Sequence, residues 1–443
     1  MQLPAAFTTY MQHLLAGEYG LFMDSMTSDA PVSVRLHPLK KSVLQGSAIP
    51  WCNTGRYLDE RPVFTLDPLF HAGSYYVQEA SSMFLEQIIT QLGLHRRPVR
   101  ILDAAAAPGG KSTHLLSLIH PESLLVANEV IHSRACVLME NIIKWGYPNV
   151  VVTNNDPSYL ASLTGFFDVV VLDAPCSGEG MFRKDPQAVN HWSPENILLC
   201  SRRQRRILSN LWPTLKEGGL LIYSTCTFNT IENEENILWL ITEKKARFVS
   251  INIPAGWGIV SSGDVPGYRF YPHRLKGEGF FMAIVQKTTT EPPVQSKGHV
   301  QQISQQHSGL IKNYVQAPFE PIFFGQNGKI SFAPAAIGQD IARINKLLRV
   351  MRAGTSIAEI KQGKVVPQHD LAVSVYLNAG AFPSVQLHKD EALAYLRKET
   401  IAKSVASKGF HLAAFQALPL GWLNILPGRI NNLYPSAWRI RNL

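Results

Sequence analysis

From Val99 onward the apolar residues fall into short unbroken runs, each closed by Gly, Pro, Asn or Asp and followed by a segment of helical period. Apolar runs without polar alternation predict strands buried on both faces. The expected strands cover 100–105, 124–130, 150–155, 167–174, 219–226 and 279–287. Helical period fills 111–119, 133–144 and 194–211 between them. The last of these follows Ser193, a natural N-cap, and opens on Pro194. Alternation of strand and helix predicts an α/β fold with a doubly wound parallel sheet.

The flanks are patterned differently. Phe7, Met11, Leu14 and Leu15 predict a helix over 4–23, and 32–36 alternates as a strand. Met83, Phe84 and Ile88 predict a helix over 76–89 with one apolar face. Residues 288–310, rich in Thr, Gln, Ser and Pro, read as a linker. The chain therefore divides into an N-terminal α+β lobe (1–97), an α/β domain (98–287), the linker, and a C-terminal region (311–443).

Charge sharpens this division. The net charge of +9 lies in 311–443, which holds 16 Lys and Arg against 7 Asp and Glu, while the first 310 residues hold 26 of each sign. An excess confined to one region is the footprint expected for a polyanion such as RNA. There Trp422, Tyr434 and Trp438 interleave with Arg429, Arg439 and Arg441, a mixture suited to stacking on bases beside phosphate contacts. Arg202, Arg203, Arg205 and Arg206 on the 194–211 helix read as a solvated face. Five scattered cysteines predict no disulfide framework and a reducing, cytoplasmic setting. No leader peptide, membrane span or metal site is expected, and a monomer is the default.

Candidate chemistry gathers where the strands end. Residues 103–112 read DAAAAPGGKS between a strand and a helix, so small residues (Ala105, Ala106, Ala107, Pro108, Gly109, Gly110) bring a ligand close to backbone N–H groups. This is neither a dinucleotide fingerprint nor a P-loop, so a pyrophosphate is not the expected ligand. A carboxylate-bearing ligand fits better, with Lys111 as a contact. Glu129, 19 residues after Gly110, stands where ribose hydroxyls are bound in nucleotide-binding sheets, and Asp156 is placed to meet an adenine edge. Acidic residues at four strand tips (Asp103, Glu129, Asp156, Asp173) suit S-adenosylmethionine, with its ribose, adenine and amino-acid tail.

The reactive half holds two cysteines, Cys176 in LDAPCSGEGMFRKDP and Cys226 in YSTCTFNTIENE, each just past a buried strand. If those strands are neighbours, about 5 Å apart, both thiols open into one cleft. Thiolate addition at pyrimidine carbon 6 makes carbon 5 nucleophilic, and a second thiol can serve the release that follows. Asp173 is placed to protonate or hydrogen-bond ring nitrogen 3. Lys111, Arg183 and Lys184 are candidates for the positive setting a thiolate needs. Residue chemistry leaves open which cysteine attacks. A DNA methyltransferase would use Cys176 alone, and a non-catalytic RNA-binding factor would need neither.

The motifs DAAAAPGGKS, NEV, NND, LDAPCSGEGMFRKDP and STCTFNTIENE, in that order, resemble the Sun/NOP-type family of RNA cytosine-5 methyltransferases. YVQEASSM and LPLGW…LYPSAW are similar to its bacterial RsmF branch, which modifies small-subunit ribosomal RNA. The resemblance implies a class I methyltransferase domain, an RNA-binding N-terminal lobe and a C-terminal PUA-like module. It implies Cys226 as nucleophile, with Cys176 assisting release. It also implies S-adenosylmethionine contacts along Ala105 to Lys111 and at Glu129, Arg134, Asp156 and Asp173. The implied substrate is ribosomal RNA or the small subunit, with transfer RNA as the alternative. Two positions depart from the pattern: Ala105 where the family usually has Cys, and His37 where it often has Asn.

Overall fold

The computed structural model describes residues 3–261, 266–292, 300, 303–326, 328–362 and 364–441. The N-terminal lobe opens on two helices, Ala5–Leu15 and Tyr19–Thr27, joined by a single 3-10 turn where one helix over 4–23 was expected. Its sheet has the order β2-β3-β1-β4, from β1 (Val32–Leu36), β2 (Ser47–Ile49), β3 (Cys52–Leu58) and β4 (Tyr75–Val77). The helix expected over 76–89 starts only at Leu85, after a 3-10 turn over Ser81–Phe84. Tyr76 and Val77 pair instead with Arg35 and Val34 of β1, and Glu79 accepts from Ser82 N at 2.9 Å. Cross-strand pairing of a β-branched and an aromatic residue outweighs helical spacing here.

The large sheet contains β5 (Arg100–Asp103), β6 (Leu124–Asn128), β7 (Val150–Thr153), β8 (Phe167–Asp173), β9 (Leu215–Thr225), β10 (Arg247–Phe248), β11 (Val260–Ser261), β12 (Tyr268–Phe270) and β13 (Phe280–Gln286). Its order runs β11-β12-β13-β9-β8-β5-β6-β7, and β9, β8, β5, β6 and β7 are parallel. Val169 to Leu172 are wholly buried, as a strand covered by helices on both faces requires. Helices Gly110–Leu118, His132–Trp145 and Pro194–Leu211 connect the strands, and the Ser193 hydroxyl accepts from Asn196 N to cap the last. The chain winds one way from β5 and the other way from β8. The crevice beyond the carboxyl ends of these two neighbours is therefore the switch point of the sheet.

The C-terminal region adds β14 (Pro321–Gln326), β15 (Lys329–Pro334), β16 (Val350–Ala353), β17 (Thr355–Lys361), β18 (Lys364–Pro367), β19 (Ser384–Gln386), β20 (Gly409–Phe415), β21 (Leu418–Leu426) and β22 (Arg429–Asn432). They form two four-stranded sheets, β14-β15-β17-β18 and β19-β20-β21-β22, and β16 leaves them to pair antiparallel with β7 at the edge of the large sheet. Part of the stretch read as a linker, 293–299 and 301–302, lies outside the described residues. The aromatics read as a stacking platform are corrected: Trp422 and Tyr434 are buried in two core clusters, and Trp438 packs against that of Tyr434. Trp422 gives its indole N–H to Gln368 O at 2.9 Å, so the ring is committed to packing. Arg429, Arg439 and Arg441 are exposed.

Buried polar side chains tie the lobe to its neighbours. Arg35 donates to Gln78 and Thr113 at 2.9 and 2.7 Å and lies 4.4 Å over the Trp145 ring. His37 meets Trp145 O at 3.0 Å and accepts from Leu39 N and Lys40 N, so it serves this junction. Cys52, Glu86 and His114 also meet between lobe and helix, within 4.8 Å of one another. Both partners face the same ring nitrogen of His114, and burial pushes the Cys52 thiol up to about 12. Cys136 is exposed, whereas Cys200 is buried.

Candidate active site

At the end of β5 the chain turns through Ala104 to Gly109 and enters the Gly110–Leu118 helix. Gly109 sits at φ +116°, a conformation that favours glycine, and the Ala107–Pro108 peptide is cis. Ala106 N donates to Asn128 O at 2.8 Å, which docks the loop on β6. A cavity of about 180 Å³ opens beside the loop. Asp103, Ala105, Ala106, Ala107, Pro108, Gly110, Lys111 and Asp173 line one side, and Tyr76, Gln78 and Glu79 of the lobe line the other.

Asp103 is buried and accepts from Ser112 Oγ at 2.6 Å, and burial pushes its carboxyl up to about 6. Its other oxygen is buried without a hydrogen-bond partner. An orphaned acceptor beside small residues fits a ligand that brings an ammonium group, as an amino-acid tail does. Lys111 Nζ lies 2.8 Å from Asp173 Oδ2 and 5.0 Å over the Phe280 ring.

Two other residues named for this ligand brace the loop. Buried Glu129 accepts from Ile131 N at 3.0 Å and lies 3.7 Å from Arg134, which donates to Ala107 O at 2.9 Å. Asp156 is exposed and caps the short Pro157–Leu160 helix by accepting from Ser158 N at 3.0 Å. Glu129, Arg134 and Asp156 do not line the 180 Å³ cavity.

The two cysteines do meet. β8 and β9 are parallel neighbours with Asp173 opposite Ser224, and Cys176 Sγ lies 3.3 Å from Cys226 Sγ. Both are partly exposed. Asp173 accepts from Ser224 Oγ at 2.7 Å, which turns its carboxylate towards both the cysteines' strand and Lys111. The hydrogen bond with Cys226, then burial, hold the Cys176 thiol well above its usual pKa. Arg183 and Lys184 do not join the thiols: both flank buried Glu278, at 3.9 and 2.7 Å, and Arg183 also donates to Gly277 O.

Sequence reasoning missed the framework behind the cysteines. Glu179, wholly buried, accepts from Phe228 N at 2.7 Å, Asn229 N at 3.0 Å and Trp192 Nε1 at 2.9 Å, stitching the loop after Cys176 to the loop after Cys226. Gly180 N donates to Cys226 O at 2.9 Å. Glu232, also wholly buried, accepts from Ser177 N at 3.1 Å and Gln204 Nε2 at 2.7 Å. A sequence signal existed, since both acids lie within six residues of a strand-end cysteine, but a loop acid ordinarily reads as solvated.

Over 98% of its length the chain is 30% identical to the ribosomal RNA small subunit methyltransferase F of Shigella boydii serotype 4 (strain Sb227), of which it covers 95%. The chain belongs to the RsmF family of 16S rRNA methyltransferases. The protein of that name from Klebsiella pneumoniae (strain 342) is 29% identical over 91% of this chain and 89% of its own length. The family described as 16S rRNA methyltransferase RsmB/F matches residues 91–286, the N-terminal domain of 16S rRNA methyltransferase RsmF matches 3–80, and the methyltransferase RsmF PUA domain matches 382–440. That last span holds the β19–β22 sheet.

Among solved structures, a methyltransferase homolog protein from Pyrococcus horikoshii is 27% identical, with a TM-score of 0.52 over 61% of this chain and 90% of that one. NSun6 from the same organism, solved with SFG, shares the fold at 22% identity, with a TM-score of 0.54 over 65% of this chain and 98% of that one. RsmF-family chains are S-adenosylmethionine-dependent enzymes that methylate cytosine in 16S rRNA.

Proposed function

We propose that this chain methylates carbon 5 of a cytosine in 16S rRNA with Cys226 as the nucleophile and Cys176 as the residue that frees the product. The observation that carries this reading is the 3.3 Å approach of the two sulfurs beside Asp173 and Lys111, at the switch point of the sheet. Ala105 to Lys111 and Asp103 would hold the S-adenosylmethionine tail, with Glu129 and Arg134 bracing that loop and Asp156 at the far rim. S-adenosylmethionine supplies an electrophilic methyl group when bound.

The chain's own residues do the rest. The Cys226 sulfur adds to ring carbon 6, the S–C bond forming as the carbon 5–carbon 6 electron pair moves to carbon 5. Asp173, when it carries a proton, stands to donate it in a hydrogen bond to ring nitrogen 3, which eases that addition. After methyl transfer the carbon 5 proton passes to the Cys176 sulfur, the double bond re-forms and the bond to Cys226 breaks. Partial exposure of both sulfurs leaves room for the base, and the shared cleft keeps each within reach of the same ring.

The substrate is ribosomal RNA, naked or in the small subunit, with exposed Arg429, Arg439 and Arg441 among its phosphate contacts. The protein works in the bacterial cytoplasm as a monomer. Five free cysteines suit that reducing setting, and no helix among the described residues is long and apolar enough to cross a membrane. Cys226→Ala should abolish 5-methylcytidine in 16S rRNA, read by bisulfite sequencing, while RNA binding persists. Residual 5-methylcytidine would overturn the assignment.

A further inference from the structure

The chemistry above uses neither of the carboxylates buried behind the cysteines. Glu179 and Glu232 are joined by one amide, Asn229 Nδ2, which lies 3.1 Å from Glu179 Oε1 and 2.8 Å from Glu232 Oε1. Among the described residues, no cation pairs with either carboxylate. Two uncompensated acids are a costly thing to bury beneath a site that must ionise a thiol.

The surrounding donors suit an ionised Glu232. Burial leaves its pKa raised on balance, against the Ser177, Asn229 and Gln204 hydrogen bonds, which lower it. Both oxygens are occupied by donors: Ser177 N reaches both, Asn229 Nδ2 reaches Oε1 and Gln204 Nε2 reaches Oε2. Each of these nitrogens can only donate, so a carboxyl proton would find no acceptor among them. The amide orientations are fixed from outside. The Glu232 N–H can only donate, so Asn229 must turn its oxygen to it, at 2.9 Å, and its nitrogen to the carboxylate. Arg205 Nε can only donate, so it takes the Asn236 oxygen at 2.9 Å. Asn236 then gives its nitrogen to Gln204 Oε1 at 2.8 Å, which leaves the Gln204 nitrogen for Glu232.

Glu232 acts on the Cys176 turn. It accepts the N–H of Ser177, the residue after Cys176, so that donor is withdrawn from any thiolate forming at Cys176. Its charge also adds to the upward shift of Cys176, after the Cys226 hydrogen bond and burial. The other titratable groups facing this pair are Tyr223, Glu179 and, beyond them, Asp173 with its Lys111 partner and Cys200. We propose that Glu232 is a positioning residue for methyl transfer: fixed beneath the Cys176 turn, its carboxylate keeps the proton on the Cys176 sulfur while Cys226 attacks. This rests on the reading of Cys226 as nucleophile. It makes charge placement one cause of which sulfur attacks, beside the Cys226 hydrogen bond and burial that already raise Cys176. Cys176 must then lose its proton to solvent before release, and a sulfur that holds a proton tightly is the stronger base once free.

The test is the pH profile of alkylation of the full chain by iodoacetamide, read per cysteine by peptide mass spectrometry. In the wild type Cys226 should be modified at lower pH than Cys176. Glu232→Gln should move the Cys176 midpoint down by about one pH unit and bring the two profiles together. Glu232→Asp, which keeps the charge, should restore their separation. Loosened packing would speed both cysteines without moving either midpoint. A folded Glu232→Gln protein with an unmoved Cys176 midpoint overturns the proposal. If that variant does not fold, the wild type still decides, because Cys176 reacting first overturns it equally. Failure of the nucleophile reading is seen separately, as 5-methylcytidine formed by Cys226→Ala.

Discussion

Gly180 offers a way to move one cysteine without touching its sulfur. A Cβ at Gly180 would lie 2.5 Å from Gly279 O and 3.1 Å from Cys226 O, both backbone atoms with no rotamer to give way. Carbon and oxygen ordinarily meet at roughly 3.3–3.6 Å, so Gly180→Ala demands a shift of about 0.8 Å. Gly180 N holds Cys226 O at 2.9 Å, and Glu179 one residue earlier anchors Phe228 and Asn229, so the shift is passed to the Cys226 loop. Overpacking of this size costs about 1–3 kcal/mol, which a folded domain survives. Misplacing a reacting group by about 1 Å costs on the order of 100-fold in rate. Methyl incorporation into 16S rRNA should therefore fall by about that factor, while calorimetry finds cofactor affinity unchanged, since the Ala105 to Lys111 loop is on another strand. A Gly180→Ala enzyme working at the full rate would refute the idea that packing between the two loops sets the position of Cys226.

Cys176→Ala should trap a covalent protein–RNA adduct, seen as a shifted band on a denaturing gel; a band from Cys226→Ala instead would reverse the two roles. Glu179→Ala strands the donors of Phe228, Asn229 and Trp192 in a dry site at about 1–3 kcal/mol each, so denaturant unfolding should show a loss of several kcal/mol. A loss below about 1 kcal/mol would mean water replaces the carboxylate. Burial holds His71 down to about 4 and His369 down to about 3, against 6.5 for the free side chain. Depressed values mean the neutral forms stabilise the fold above pH 6.5, and that contribution is lost as pH falls from 6.5 towards 4 and 3. Each unit is about 1.4 kcal/mol, so His71 alone contributes about 3 kcal/mol, and His71→Gln should flatten the acid side of the stability curve. An equally steep acid side in that variant would refute the assignment. Replacing Arg429, Arg439 and Arg441 with Gln should lower the salt slope of RNA binding by about one for each phosphate left unneutralised, and an unchanged slope would place the footprint elsewhere.

Most of the large sheet was legible because its strands are buried on both faces, so Val169 to Leu172 or Val150 to Val152 leave no alternative reading. Gly109 and the small residues around it announced a backbone-lined ligand loop for the same reason: few other roles need them. The misreadings share a cause. Tyr76, Val77, Trp422 and Tyr434 have side chains that serve as well in a strand, a core or a stacking site, and only their partners decide. β16 was not legible, since four residues at a sheet edge carry too little pattern. Glu179 and Glu232 stayed hidden because an acid with all its donors supplied by distant backbone and amides looks, in sequence, like any solvated loop acid.

The pairing of β16 with β7 bears on how the chain is made. An uncovered strand at the edge of a parallel sheet is a template for other chains, and β7 is such a strand until residue 350 arrives. Synthesis completes β7 at residue 153 and must continue through the whole catalytic domain and beyond before Val350 to Ala353 can seal it. The C-terminal region thus closes the catalytic sheet as a lid closes a seam. Cutting the chain at 311 would leave that seam open, so an isolated catalytic fragment is expected to self-associate through it.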